Sequence, residues 1–154
     1  SEVRRLMEVN LIGTLTATQA VLPQMLENTW GRIINISSLA GIKGQAYLVP
    51  YSASKHAVIG LTRSLATELA QSPVTVNAIC PGYVESNMLD QAIDAIMSST
   101  GRSAREARLE LEKINPQHRI IQPEEVAATV MWLCLPGSES VTGQSIALAG
   151  GEWM

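Results

Sequence analysis

Arg32-Ile33-Ile34-Asn35-Ile36-Ser37 is a compact β-branched run, and the segments on its C-terminal side decide the fold. Its apolar residues do not alternate with polar ones, the pattern of a strand covered on both faces. Residues 38–49 carry Gly41 and Gly44 without a clear period, which predicts a loop. Pro50 suits the first position of a helix. From Tyr51 to about Ala70 the pattern is helical, with Ala57, Leu61, Leu65 and Leu69 on one stripe. Val74-Thr75-Val76-Asn77-Ala78-Ile79 is a second buried strand, stopped at Cys80-Pro81-Gly82.

Working outward, residues 1–27 predict a helix, because Val3, Leu6, Met7, Asn10, Gly13, Leu15 and Ala17 recur at spacings of three and four. Trp30-Gly31 ends it. Residues 86–113 predict one or two short amphipathic helices broken near Gly101. Gln122-Pro123-Glu124-Glu125 is a helix start, with Pro in the first turn and acids at the positive end of the dipole; that helix runs to about Leu135. Gly143 to Leu148 is a third strand, followed by Gly150-Gly151. The alternation implies an α/β fold, a parallel sheet with helices on both faces. Three parallel strands leave unpaired edges. The sheet is therefore expected to continue in polypeptide outside this sequence, which opens at Ser1 in mid-helix and reads as a fragment.

With 154 residues the chain is one domain. Charged residues make up 16%, against roughly 25% in an average soluble domain, so much of the surface is expected to be covered. A net charge of −3 and a pI near 5.4 argue against a nucleic-acid partner. No apolar run approaches the ~18 residues of a membrane span, and no signal peptide opens the sequence. Cys80 and Cys134 stand in apolar company with no C-x-x-C, which predicts buried thiols in a reducing, cytoplasmic compartment. His56 and His118 lack the neighbours of a metal site.

The chemistry concentrates in residues 33–55. Tyr51 and Lys55 are four apart and project from one helix face. A phenol with its usual pKa near 10 is a poor acid–base group at neutral pH, and an ammonium nearby favours the phenolate. A tyrosine so tuned gives a proton to a carbonyl oxygen or takes one from an alcohol. Ser38 ends a strand at the carboxyl edge of the sheet, where ligands sit in α/β folds. Its hydroxyl, or that of Ser37, is placed to hydrogen-bond the same oxygen; either serine alone is also an ordinary turn or cap residue.

Asn10 in Val9-Asn10-Leu11-Ile12-Gly13, Ser38 in Asn35-Ile36-Ser37-Ser38-Leu39-Ala40-Gly41, the Tyr51/Lys55 pair, Asn77-Ala78-Ile79-Cys80-Pro81-Gly82, and Val141-Thr142-Gly143 with Gly150-Gly151 come in a fixed order. Together they resemble the catalytic half of the classical short-chain dehydrogenase/reductase family, over essentially the whole chain. The resemblance implies a three-layer Rossmann-like sheet, of which the chain holds only the C-terminal part. It implies an NAD- or NADP-dependent oxidoreductase that interconverts a secondary alcohol and a ketone, with Asn10, Ser38, Tyr51 and Lys55 as the catalytic tetrad. Tyr51 would be the general acid/base and Ser38 would orient the carbonyl. Lys55 would lower the Tyr51 pKa and bind the nicotinamide ribose. Asn10, at an irregularity in its helix, would hold a relay water. Tyr51 and Lys55, with Pro81, Gly82, Val84 and Ser86, would bind the cofactor. Ser38, Tyr51 and Met88 would meet the substrate.

One departure is plain: no G-x-G-x-x-G occurs, so the phosphate-cradling loop is not in this sequence. Residues 1–154 are thus expected to be the C-terminal catalytic part of a single domain, without its dinucleotide-binding part. The insert at 83–121 stands where this family builds its substrate lid. In it Met88, Leu89, Ile93, Ile96 and Met97 form an apolar stripe, either an acyl-chain cover or core packing. The wording around Tyr51 and Pro81 is similar to 3-hydroxyacyl and 3-hydroxybutyrate dehydrogenases, 3-oxoacyl reductases and polyketide ketoreductases, which points to a 3-oxoacyl or 3-hydroxyacyl substrate. Helices 1–27 and 51–70 resemble the pair that builds the family's dimer interface, implying a homodimer or homotetramer. The alternative is a truncated or non-catalytic member acting in association. Ser52-Ala53-Ser54-Lys55 also fits S-x-x-K, but S-D-N and K-T-G are missing and a hydrolase is set aside. Trp30, Trp132 and Trp153 are expected to pack, and Arg102, Arg105 and Arg108 with Glu106, Glu110 and Glu112 to form a solvated face.

Overall fold

A computed structural model describes residues 1–154. Residues 2–27 form one helical rod in three pieces: α1 (Glu2–Met7), a π-helical turn (Glu8–Ile12) and α2 (Gly13–Glu27). Then come β1 (Gly31–Ile36), a 3₁₀ turn (Leu39–Gly41), α3 (Val49–Glu68), β2 (Val74–Pro81), α4 (Asn87–Thr100), α5 (Ala104–Ile114), α6 (Pro123–Cys134) and β3 (Ser145–Leu148). The loop expected at 38–49 thus holds a helical turn, and the second strand runs two residues further than its β-branched run, through Cys80 and Pro81.

The three strands are parallel in the order β1-β2-β3, with Ile36 beside Ile79 and Pro81 beside Leu148. Central β2 is buried at all eight positions, as a strand covered on both faces must be. On one face Ile33, Val74 and Val76 pack with Ala66 of α3 and with Leu22 and Met25 of α2. Arg32 points the other way, as strand alternation requires, and its Nε donates to the carbonyl of Leu133 in α6 at 3.1 Å. Helices therefore lie on both faces.

The buried side of α3 is not the stripe expected. It runs through Ser54, Val58, Ile59, Thr62 and Ala66, while Ala57 and Leu61 are half-buried. Polar residues occupy it because their hydrogen bonds are met inside: Thr62 Oγ1 donates to the Val58 carbonyl at 2.8 Å and accepts from Asn35 Nδ2 at 2.9 Å. In residues 2–27 only Thr18 is buried, and Val3, Gly13 and Ala17 of the predicted stripe face solvent. The tryptophans also differ from expectation, each being about half exposed; Trp30 stacks beneath the Arg32 guanidinium at 5.3 Å. Cys80 is buried, Cys134 only partly so, and both are free thiols. No helix is long and apolar enough to cross a membrane.

After β2 the chain builds α4 and α5, separated at Gly101, whose φ of +72° closes the first helix in the left-handed conformation. Leu89, Ile93 and Ile96 pack on Leu111 and Ile120, so these members of the apolar stripe are core. Met88 is not among them and remains exposed. Arg108, on the solvated face expected of it, also makes a cross-link. It makes a bidentate pair with Glu85 at 3.0 and 2.6 Å and a third bond to Glu112 at 3.0 Å, tying α5 to the loop after β2.

Candidate active site

Parallel strands deliver their carboxyl ends to one edge, and there β1 leads into Ser37 and Ser38, β2 into Gly82 and Tyr83, and β3 into the 149–152 turn. The first of these ends is shaped by the Leu39–Gly41 turn. Ser38 caps it, its Oγ accepting from the Ala40 amide at 3.1 Å. Leu39 and Ala40 are fully buried, which pulls the turn down onto α3. Gly41 lets it come that close: a Cβ there would stand 2.6 Å from Ser37 Oγ and 2.7 Å from the Lys55 carbonyl oxygen.

The two adjacent serines divide the work. Ser37 is buried and its Oγ donates to the Lys55 carbonyl at 3.0 Å, so it braces the helix. Ser38 stands by the Tyr51 hydroxyl, near enough to favour the phenolate, although burial outweighs it and holds the Tyr51 pKa above its ordinary value. Lys55 Nζ lies 5.7 Å from the Tyr51 ring centroid and donates to the Ile36 carbonyl at 3.0 Å. Burial lowers the Lys55 pKa. Ser38, Tyr51 and Lys55, predicted from spacing, thus come together at the carboxyl edge of the sheet.

Asn10 reaches the same cluster from behind. It sits inside the π-helical turn, an irregularity of the kind found often at functional sites. Its Nδ2 donates to Ser54 Oγ at 3.0 Å, and Ser54 Oγ donates to the Tyr51 carbonyl at 2.8 Å. Its own carbonyl accepts from Thr14 Oγ1 at 2.7 Å. Beyond β2, Pro81 is buried, Gly82 donates its amide to the Leu148 carbonyl at 3.0 Å, and Val84 forms an isolated bridge with Ile121. Ser86 Oγ turns back to the Val84 carbonyl at 3.0 Å.

Three residues of this edge escaped the sequence reading. The Tyr83 phenol has its pKa raised by burial and by the charge of nearby Glu152. Glu152 pairs with Lys43 at 2.8 Å although 109 positions separate them. Neither signals itself locally, since Glu152 follows a Gly-Gly turn near the chain's end and Lys43 lies in a loop without period. Only the shared sheet edge brings them together.

A parallel α/β sheet with a serine at one strand end and a Tyr-x-x-x-Lys pair on the next helix defines a class of small-molecule enzymes. Residues 1–96 match the family model described as short chain dehydrogenase, and the chain belongs to that family. It is 42% identical over 146 residues to a putative ketoacyl reductase of Streptomyces coelicolor, covering 94% of this chain and 56% of that protein. It is 40% identical over 145 residues to a 3-oxoacyl-(acyl-carrier-protein) reductase of Aquifex aeolicus, covering 94% and 54%. Among solved structures, an actinorhodin polyketide ketoreductase with NADPH superposes with a TM-score of 0.88 at 41% identity, over 93% of this chain and 56% of that one. Sorbitol-6-phosphate 2-dehydrogenase of Erwinia amylovora gives 0.93 at 28% identity, over 99% and 60%. The chain spans little more than half the length of these relatives.

Proposed function

We propose that the complete protein is an NAD(P)-dependent oxidoreductase that interconverts a secondary alcohol and a ketone, with a 3-oxoacyl/3-hydroxyacyl compound as substrate. The observation that carries this reading is the convergence of Ser38, Tyr51 and Lys55 at the carboxyl edge of the sheet. In reduction Tyr51 gives its hydroxyl proton to the carbonyl oxygen; in oxidation it takes the proton back. A Tyr51 pKa held up by burial keeps that proton in place at neutral pH. Ser38 hydrogen-bonds the same oxygen and polarises the carbonyl. Asn10 bonds Ser54 Oγ, which bonds the Tyr51 backbone carbonyl and so braces the start of that helix; the role assigned to Asn10 is to hold a relay water behind Tyr51.

The residues present fit the nicotinamide end of the cofactor. Lys55 Nζ gives a hydrogen bond to the Ile36 carbonyl and, as an ammonium, has two further donors for ribose hydroxyls. Tyr51 shares that position, and Pro81, Gly82, Val84 and Ser86 form the adjoining stretch. When bound, the nicotinamide supplies or accepts the hydride. The phosphate-cradling loop belongs to polypeptide outside residues 1–154, which we read as the C-terminal catalytic part of the domain. The free outer edge of β1 is where the sheet would continue.

The substrate reading is supported by relatives named ketoacyl, 3-oxoacyl and acetoacetyl-CoA reductases. Met88, exposed on α4, stands on the segment read as a lid. A homodimer or homotetramer is supported by Val3, Val9, Ile12 and Val21, which helix 2–27 leaves exposed. Two free thiols support a cytoplasmic setting.

The test is reduction of a 3-oxoacyl thioester by the complete protein with NADPH or NADH. Replacing Tyr51 with Phe should cost roughly 10²- to 10⁴-fold in kcat, the usual worth of general acid catalysis. Undiminished turnover refutes the role of Tyr51.

A further inference from the structure

The turn after β3 is built to aim one carboxylate. Gly150 and Gly151 both have positive φ, +57° and +93°, and the Glu152 amide donates back to the Ala149 carbonyl at 3.1 Å. The space a Gly150 side chain would fill is taken by Asn115, a buried residue at the end of α5. Glu152 Oε2 lies 3.4 Å from where a Gly82 Cβ would stand, and its charge reaches the Tyr83 phenol. Its other oxygen meets Lys43 Nζ at 2.8 Å, with the glutamate side chain only 9% exposed and the lysine 29%. Lys43 lies in the segment 42–48 that runs from the Gly41 turn into α3, just ahead of Tyr51. One carboxylate therefore pairs with the loop before the Tyr51 helix and lies beside Gly82 at the end of β2, from a turn seated on the end of α5.

We propose that Lys43 and Glu152 are positioning residues: their ion pair clamps the 42–48 loop to the 149–152 turn, and so sets the shape of the cleft that receives the carbonyl substrate. Neither group meets the reacting atoms. Partial burial gives the pair a geometry that an exposed ion pair would not hold, because less water competes for either charge. The consequence is selective. Loosening the clamp blurs the substrate's side of the cleft while Tyr51, Ser38 and Lys55 stay braced by Ser37 and Gly41.

The clamp rests on the carbonyl-reduction reading, and its test separates the two. In the complete protein, Glu152→Gln and Lys43→Met should each raise KM for the 3-oxoacyl substrate about five- to tenfold. They should leave kcat within about twofold and the cofactor KM unchanged, the pattern of lost binding equal in ground and transition states. Lys43→Arg should recover most of the loss, as should the charge swap Lys43→Glu with Glu152→Lys. A fall in kcat at constant KM, or no kinetic change, overturns the clamp. Should the wild-type protein reduce no ketone, the functional reading fails instead, and amide hydrogen exchange decides the clamp by itself. Glu152→Gln must then speed exchange across residues 42–48, and unchanged exchange refutes it.

Discussion

The ammonium of Lys55 lies over the face of the Tyr51 ring, 5.7 Å from its centroid, and gives a hydrogen bond to the carbonyl of Ile36 rather than to the phenol. The tuning expected from a cation one helical turn away is therefore not expressed in this arrangement. Burial raises the Tyr51 pKa, and Ser38 is the group that pulls it down. Lys55 is itself pushed down by burial. Tyr51 thus stands as a protonated phenol beside the partly desolvated Lys55 side chain.

Spectrophotometric titration of the phenols checks this directly. The signal that Tyr51→Phe removes should titrate above the ordinary 10.0, and Ser38→Ala should move it higher still. The linked stability has the same sign. A phenol that holds its proton more tightly when folded contributes fully below the ordinary value, and its contribution disappears as pH rises through the folded one. Base-induced unfolding of Tyr51→Phe should lack that component. A Tyr51 signal below 10 would contradict the geometry.

Gly41 and Gly44 should respond in opposite directions to alanine. At Gly41 the new Cβ meets Ser37 Oγ and the Lys55 carbonyl at under 3 Å, and the second of these is backbone that cannot rotate away. Gly41→Ala should cost about 1–3 kcal/mol, as overpacking does, and lower activity by displacing Ser38 from Tyr51. Nothing lies within 4 Å of a Cβ at Gly44. There the substitution should be neutral or stabilise by up to about 1 kcal/mol, through the unfolded chain. Denaturant unfolding of both variants measures the contrast.

Thr62→Val keeps the shape of α3 but leaves the buried Asn35 amide without its partner. A loss of about 1–3 kcal/mol is expected, the desolvation cost of an orphaned polar group, and Thr62→Ser should recover part of it. Equal stability of Thr62→Val and wild type in urea would show that Asn35 finds another acceptor.

Arg119 holds Glu125 through two hydrogen bonds, 2.6 and 2.7 Å, and the carboxyl titrates at about 2. The folded value lies below the unfolded one, so this stabilising contribution is complete above the ordinary 4.5 and is lost as pH falls towards 2. Arg119→Met should return the Glu125 titration towards 4.5, tracked by carboxyl NMR shifts. Because the pair is exposed, the effect on overall stability should be small and weaken in salt.

Local pattern determined the element types of this protein, because the covalent periods of strand and helix are written into the order of residues. The β-branched runs at 33–36 and 74–79 could bury both faces only as parallel strands, and Pro50 and Pro123 suit the first turns of helices. The spacing of Ser38, Tyr51 and Lys55 was legible for the same reason, since a strand end and one helical turn fix where such side chains project. Tertiary structure alone decided which side of each helix is buried. Thr62 and Ser54 enter the core because partners from Val58, Asn35 and Asn10 satisfy them, and no count of apolar residues along α3 contains those partners. It also decided that Ser37 braces while Ser38 faces the phenol, through the close approach that Gly41 permits. Lys43 and Glu152 became neighbours only once three parallel strands released their carboxyl ends at one edge, a proximity that depends on topology and leaves no trace in local sequence.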